Sequence, residues 1–194
     1  METNNVNNAD LFMNAEPAVS RNEPDLTSDA DIVRDPLPTR GDVDFQLIEL
    51  FFFAYREFTG DADSILAQYG FGRAHHRVLH FTNRDPGMTI AELLDLLEIT
   101  KQSLSRVLRQ LVDGGFIALV PGTEDRRERW LYPTERGRAL TLELSRAQVR
   151  RIDAALQAKG GIDVHSVAAF LVEMGGERKA ARDWFAKKGI DRET

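Results

Sequence analysis

The sequence contains no cysteine, so disulfides, thiolate catalysis, thiolate-held zinc and iron–sulfur clusters are excluded together. It has no apolar run of about 18 residues, which leaves no candidate membrane-spanning helix. No apolar stretch follows the N-terminus, so no secretory signal is expected and the chain is read as cytoplasmic. No internal repeat is visible. There is no nucleophile elbow, phosphate-cradling glycine loop, HExxH pair or paired-carboxylate motif, and no enzyme activity or cofactor is expected. What is present is 42% hydrophobic and 29% charged residues in a chain of 194, enough for one domain with a real core plus tails.

The net charge is −6, but its distribution is uneven. Residues 1–40 hold eight acids against three bases, whereas Thr100 to Arg138 holds eight bases against five acids. A basic strip therefore lies inside an otherwise acidic chain, and a polyanion feels the local footprint rather than the total. Residues 1–41 are rich in Asn, Asp, Glu and Pro, with Pro17, Pro24, Pro36 and Pro38, and show no sustained period. Such a segment buries too little apolar area to offset its ordering entropy and is expected to be a disordered acidic tail. It either solubilises the chain or competes, by its charge, for the basic strip. Residues 188–194 form a short C-terminal tail.

Order is expected from Asp42. Phe45, Ile48, Phe52 and Tyr55 recur at helical spacing beside a second stripe of Leu47, Phe51, Ala54 and Phe58. A helix apolar on most of its circumference needs cover on more than one side, and a partner subunit is the simplest source. Gly60 is expected to kink or end this helix, with residues 61–69 continuing it. A short helix follows over residues 73–84, then a turn at Asp85-Pro86-Gly87. Thr89 and Glu92 have capping-box spacing ahead of Leu93, Leu94, Leu96 and Leu97. Thr100 is the expected N-cap of a helix with the stripe Leu104, Val107, Leu108 and Leu111, ended by Gly114-Gly115. Two strands, residues 116–120 and 129–132, enclose a polar turn. Pro133 stops the ladder and Thr134 caps a long helix to about Ala158. Gly160-Gly161 break it before helices around 164–174 and 181–185. The fold class is mainly α with a small β-hairpin wing: a winged helix-turn-helix over residues 72–133, flanked by helices (42–69 and 134–187) without intrachain cover.

The ordered set Leu93, Thr100-Lys101-Gln102-Ser103-Leu104-Ser105-Arg106, Leu111, Gly115, Asp125-Arg126-Arg127-Glu128-Arg129 and Thr134-Glu135-Arg136-Gly137 closely resembles the MarR family of bacterial transcription regulators. The resemblance spans roughly residues 45–186, and Gly72-Arg73-Ala74-His75-His76-Arg77-Val78-Leu79 resembles the PetP-like branch. It implies a homodimeric DNA-binding repressor on a palindromic operator, bound to the nucleoid of a bacterial cell, with the flanking helices as dimerisation helices.

The residues agree with that likeness. Opposite the leucines, the Thr100 helix presents Lys101, Gln102, Ser103, Ser105, Arg106 and Arg109, the mixture a helix needs in a major groove, and Thr100 at its start is a candidate DNA contact with them. Gln102 suits an adenine edge, Arg106 or Lys101 a guanine, and Ser103 and Ser105 phosphates or bases. The resemblance implies that a wing arginine among Arg126, Arg127 and Arg129 enters the minor groove. Asp125 is the candidate for orienting Arg127 or Arg129. Trp130 and Pro133 depart from the family's commoner aliphatic residues, which leaves the inward-facing arginine open.

The family often releases DNA when a small anionic aromatic effector binds, and Phe52, Tyr55, Arg73, His76, Arg77 and His80 are the candidate lining. His76 and His80, four apart with His75 adjacent, have a chelating spacing, but a site needs further ligands such as Glu49 or His165. A metal- or haem-responsive regulator and a winged helix serving only protein–protein contact are the alternative readings.

Overall fold

The computed structural model describes residues 36–37, 39, 41–122 and 128–190. Most of the tail expected to be disordered, before residue 36, and the C-terminal tail after residue 190 lie outside the described residues, as do Asp125, Arg126 and Arg127. The chain order is α1 (Phe45–Ala67), α2 (Arg73–Arg84), β1 (Met88–Thr89), α3 (Ile90–Leu97), α4 (Lys101–Asp113), β2 (Ile117–Pro121), β3 (Arg129–Pro133), α5 (Glu135–Gln157), a 3₁₀ turn, α6 (Val164–Gly175) and α7 (Lys179–Lys188).

Helix starts are set by short oxygen-bearing side chains that satisfy free backbone N–H groups. Asp44 Oδ1 accepts from Gln46 N at 3.0 Å to open α1. Thr89 Oγ1 accepts from Glu92 N at 3.1 Å while Glu92 Oε2 accepts from Thr89 N at 2.6 Å, completing the expected capping box of α3. Thr134 Oγ1 accepts from Gly137 N at 3.1 Å at the start of α5. Helix α1 departs from the sequence expectation, because it runs unbroken through Gly60. A mid-helix glycine costs only about 0.5–1 kcal/mol. Thr59, Ala62 and Leu66 are buried on both sides of Gly60, and their packing carries the helix across it.

The hairpin is likewise part of something larger. A third strand, β1, joins it to give an antiparallel sheet in the order β1-β3-β2. Met88 pairs with Leu131, Leu119 with Leu131 and Pro121 with Arg129. Pro133 does not lie beyond the ladder; it is its last rung, opposite Ile117. At this end position the missing N–H of proline costs no interior hydrogen bond. The two-residue β1 is hidden in sequence between a turn and a cap. Of Gly114-Gly115, only Gly115 is left-handed, at φ 72°, while Gly114 remains right-handed.

One hydrophobic core joins these elements: Val78 and Leu79 of α2, Met88, Leu93 and Leu97 around α3, the α4 stripe, Phe116, Ile117 and Leu131. It also takes Ala62 and Leu66 from α1 and Leu140 and Leu144 from α5, so the long helices build the winged-helix body as well as flanking it. Asp61 and Arg151 tie α1 to α5 through two hydrogen bonds of 2.9 and 3.0 Å. Asn83 Nδ2 donates to Thr141 Oγ1 at 2.9 Å to tie α2 to α5. Neither α6 nor α7 has a fully buried residue. No described helix is long and apolar enough to cross a membrane.

Candidate nucleic-acid interface

Helix α4 is sharply two-sided. Leu104, Val107, Leu108 and Leu111 are buried, and Lys101, Gln102, Ser103, Ser105, Arg106 and Arg109 are all exposed. Its 13 residues rise about 20 Å, and a bare helix of that size fits a major groove about 12 Å wide. Gln102, Arg106 and Arg109 follow one another at helical spacing, with Lys101 and Ser105 beside them. Thr100 has a different task from its neighbours. Its hydroxyl accepts from Ser103 N at 3.3 Å and donates to Ser103 Oγ at 2.9 Å, so it is committed to capping α4.

Helix α4 is also held from two sides, by α2 and by the start of α5. His75, buried on α2, accepts from Gly72 N on Nδ1 at 3.1 Å, which leaves Nε2 to donate to Gln110 Oε1 at 2.9 Å. Its ring stacks on Phe71 with centroids 4.6 Å apart. At the far end, Arg136 donates to Gly114 O at 2.8 Å and its guanidinium lies 4.3 Å from the centre of the Phe116 ring. Thr134 Oγ1 donates to Gly115 O at 2.7 Å. Gly137 is required by contact: a Cβ there would sit 2.0 Å from Phe116 O. The Thr-Glu-Arg-Gly segment is thus a clasp across the root of the wing as well as a helix cap.

In the wing, Arg129 is exposed on β3, opposite Pro121, and its Nη1 donates to Glu128 O at 3.2 Å. Trp130 Nε1 donates to Glu128 Oε2 at 3.0 Å, which draws that acid back along its own strand.

The six candidate effector residues are only partly brought together in one chain. Arg73 Nε donates to Asp63 Oδ2 at 2.9 Å, and its guanidinium lies 5.4 Å from the Tyr55 ring centre, so Arg73 is already neutralised. Phe52 is 70% exposed and Tyr55 58% exposed. A wide cavity of about 780 Å³ lies instead between α1 and α5, with Asp61, Ile65, Arg150 and Arg151 in its wall, and includes none of the six.

The histidines separate as well. His75 turns inward to α4, while His76 and His80 are half-buried on another face of α2 and Arg77 is exposed. Burial pushes both His76 and His80 below the ordinary imidazole value; Asp63 works against this at His76, and His76 and Arg84 add to it at His80. Among the described residues no group of three His, Asp or Glu is placed to hold a metal, so Glu49 and His165 do not complete the pair.

The sequence reading missed the His75–Gln110 tie and the steric demand at Gly137. The first joins positions 35 apart, and the second depends on a backbone oxygen; neither leaves a local pattern.

Residues 69–128 match the profile of the MarR family. The HTH-type transcriptional regulator PetP of Rhodobacter capsulatus is 54% identical over 113 residues, covering 58% of this chain and 68% of that protein. The chain belongs to the MarR family of transcriptional regulators. The likeness of residues 72–79 to the PetP-like branch agrees with that relative. The backbone of this MarR-family regulator superimposes on a MarR protein from Peptoclostridium difficile with a TM-score of 0.61 at 16% identity, covering 79% of this chain and 99% of that one. A MarR-family regulator from Listeria monocytogenes, solved with a 26mer DNA, gives a TM-score of 0.57 at 20% identity, covering 80% and 100%. At these identities the two structures share the fold. The mainly α winged helix-turn-helix expected from sequence is the fold found, and the relatives are transcriptional regulators rather than enzymes.

Proposed function

We propose that this MarR-family regulator is a homodimeric repressor that reads a palindromic operator with α4 in the major groove. One observation carries the reading: every long or hydrogen-bonding side chain of α4 named from sequence is exposed, and the opposite stripe is buried in the core. A helix so anchored presents donors and cations on a rigid support, as direct readout requires. Arg106 or Lys101 takes a guanine edge and Gln102 an adenine edge; Ser103, Ser105 and Arg109 add phosphate or base contacts. In the wing, one of Arg126, Arg127 and Arg129 enters the minor groove, and Asp125 orients Arg127 or Arg129. The Listeria relative, solved on DNA, lends support through its shared fold.

Homodimerisation is part of the same reading. The apolar side chains left uncovered on α1, α5 and α6 supply the contact, and two copies of α4 about one helical turn apart match a palindrome. Release by a small aromatic or anionic effector belongs to it too. Its lining would take His76, Arg77 and His80 from α2 with Phe52 and Tyr55 of α1, closed by the second subunit, and Arg73 would engage only by leaving Asp63.

The test is binding of the purified protein to its own promoter region and to a scrambled duplex across a salt series, with Arg106→Ala and Arg127→Ala alongside. A base-reading arginine is worth about 1–3 kcal/mol, so Arg106→Ala is expected to weaken operator binding about tenfold or more and to narrow the gap between duplexes. Arg106→Ala and Arg127→Ala with unchanged affinity would mean that α4 and the wing serve a protein partner instead.

A further inference from the structure

Helix α7 lies outside the winged helix-turn-helix in sequence, yet it grips that unit at two points. At its start, the Arg178 guanidinium pairs with Glu98. Glu98 is the turn residue between α3 and α4 and the one non-glycine at positive φ, 50°, among the described residues. At its end, Lys187 and Lys188 both pair with Asp85, the C-cap of α2 that opens the turn into β1. Lys188 Nζ also donates to Arg84 O at 2.7 Å, placing a cation on the carbonyl end of α2, where the helix dipole favours it. Between the two grips the Trp184 ring meets the Phe81 ring edge-on at 4.9 Å, with Lys188 Nζ 4.9 Å from the Trp184 ring centre. Burial works against the charge on Asp85, but the two ammoniums outweigh it and hold the carboxyl below its ordinary value.

The ten residues of α7 span about 15 Å and the eight of α3 about 12 Å. The start of α7 meets the turn after α3, and its end meets the corner before α3. It therefore lies along α3 as a splint, joined covalently to α6 through Gly176 and Glu177.

We propose that α7 is a positioning element for DNA reading: through Arg178, Trp184, Lys187 and Lys188 it fixes the helix-turn-helix unit against the C-terminal helices, and so fixes the angle at which α4 is presented. None of these side chains needs to touch DNA. The inference rests on the reading of α4 as the recognition helix.

The test uses the full chain and compares affinity for the operator with affinity for a scrambled duplex, well below the melting temperature. Lys187→Glu combined with Lys188→Glu sets like charges against Asp85, and Trp184→Ala removes the aromatic contact. Each is expected to lower the operator-to-scrambled ratio about tenfold and to flatten its dependence on half-site spacing. Adding Asp85→Lys to the double lysine variant is expected to recover most of the ratio. A role in stability alone would lower the melting temperature and leave the ratio and the spacing dependence untouched, which would overturn the proposal. A loss that Asp85→Lys fails to recover would also overturn it, because the lysines would then be acting on phosphates directly.

Trp130→Phe leaves Trp184 as the single tryptophan of the two in the chain, and quenching by acrylamide then reports whether α7 is docked. A freely quenched Trp184 sinks the splint and leaves the reading of α4 standing. An unselective wild-type protein sinks both.

Discussion

Two regions of this regulator obey different rules of burial. In the body, residues 59–147, the core side chains are covered, and Leu66, Leu79, Leu93, Leu111, Leu131 and Leu144 have no exposed surface; among its described large apolar residues Tyr69, Leu119, Val120 and Leu142 face outward. In the end helices the same residue types face outward, with Phe52 70%, Phe53 55% and Met174 57% exposed. These exposed apolar side chains on α1, α5 and α6 are the ones proposed above to meet a second copy. The body buries most of its large apolar side chains within one chain, whereas the end helices leave many of theirs in solvent. The contrast falls within single helices: the buried residues of α1 are Thr59, Ala62 and Leu66, with Phe52, Phe53 and Tyr55 exposed before them, and the last buried residue of α5 is Ala147, with Val149 and Ile152 exposed beyond it.

The largest effect expected from this difference is in the body. Leu131→Ala empties a fully enclosed site where β3 meets β1 and β2, and such truncations cost about 2–5 kcal/mol. Urea unfolding should show this loss at every protein concentration, since the site needs no partner. Gly137→Ala should fall in the same class, because Phe116 O must move before a Cβ fits. A loss at Leu131 below about 1 kcal/mol would mean that the body is looser than its burial indicates.

The sequence made the body legible because its signals are local. Thr89, Thr100 and Thr134 announce helix starts through spacings of three residues, and the α4 stripe announces both its buried side and, by subtraction, the exposed face of Lys101, Gln102, Ser105, Arg106 and Arg109. The strand β1 was not legible, since two residues carry no period and its partner Leu131 is more than forty positions away. Nor were the grips of α7 on Asp85 and Glu98, which join charges 80 to 103 positions apart. The effector lining was legible only in part. Arg73 looked available in sequence, but Asp63, ten positions earlier on α1, already holds it.

A smaller and qualitatively different effect is expected at the ends. Phe52→Asp with Tyr55→Asp changes side chains already in water in the single chain, so the body should keep its fold and its monomer stability within about 0.5 kcal/mol. Association should weaken by a factor of ten or more, seen by sedimentation velocity across a concentration series. The melting temperature of the wild type should rise with concentration and that of the variant should not, as mass action requires. If the variant unfolds the body instead, the division at Thr59 is wrong.

The smallest effect lies where the two regions meet, at His76 and His80 on the half-buried face of α2. Burial lowers both below the unperturbed 6.5. As pH falls below that value the unfolded chain takes up protons that the folded one resists, so the stability present above about pH 6.5 declines through the window down to the folded values. His76→Gln with His80→Gln removes the sites, and the difference between wild-type and variant melting temperatures should shrink between pH 7.5 and pH 5.5. If a second subunit covers this face, desolvation deepens and the wild-type slope steepens at concentrations that favour the dimer; in the Phe52→Asp, Tyr55→Asp background it should return to the shallower slope. A slope independent of both concentration and background would place α2 wholly within the self-sufficient body and move the boundary between the two regions outward to α1.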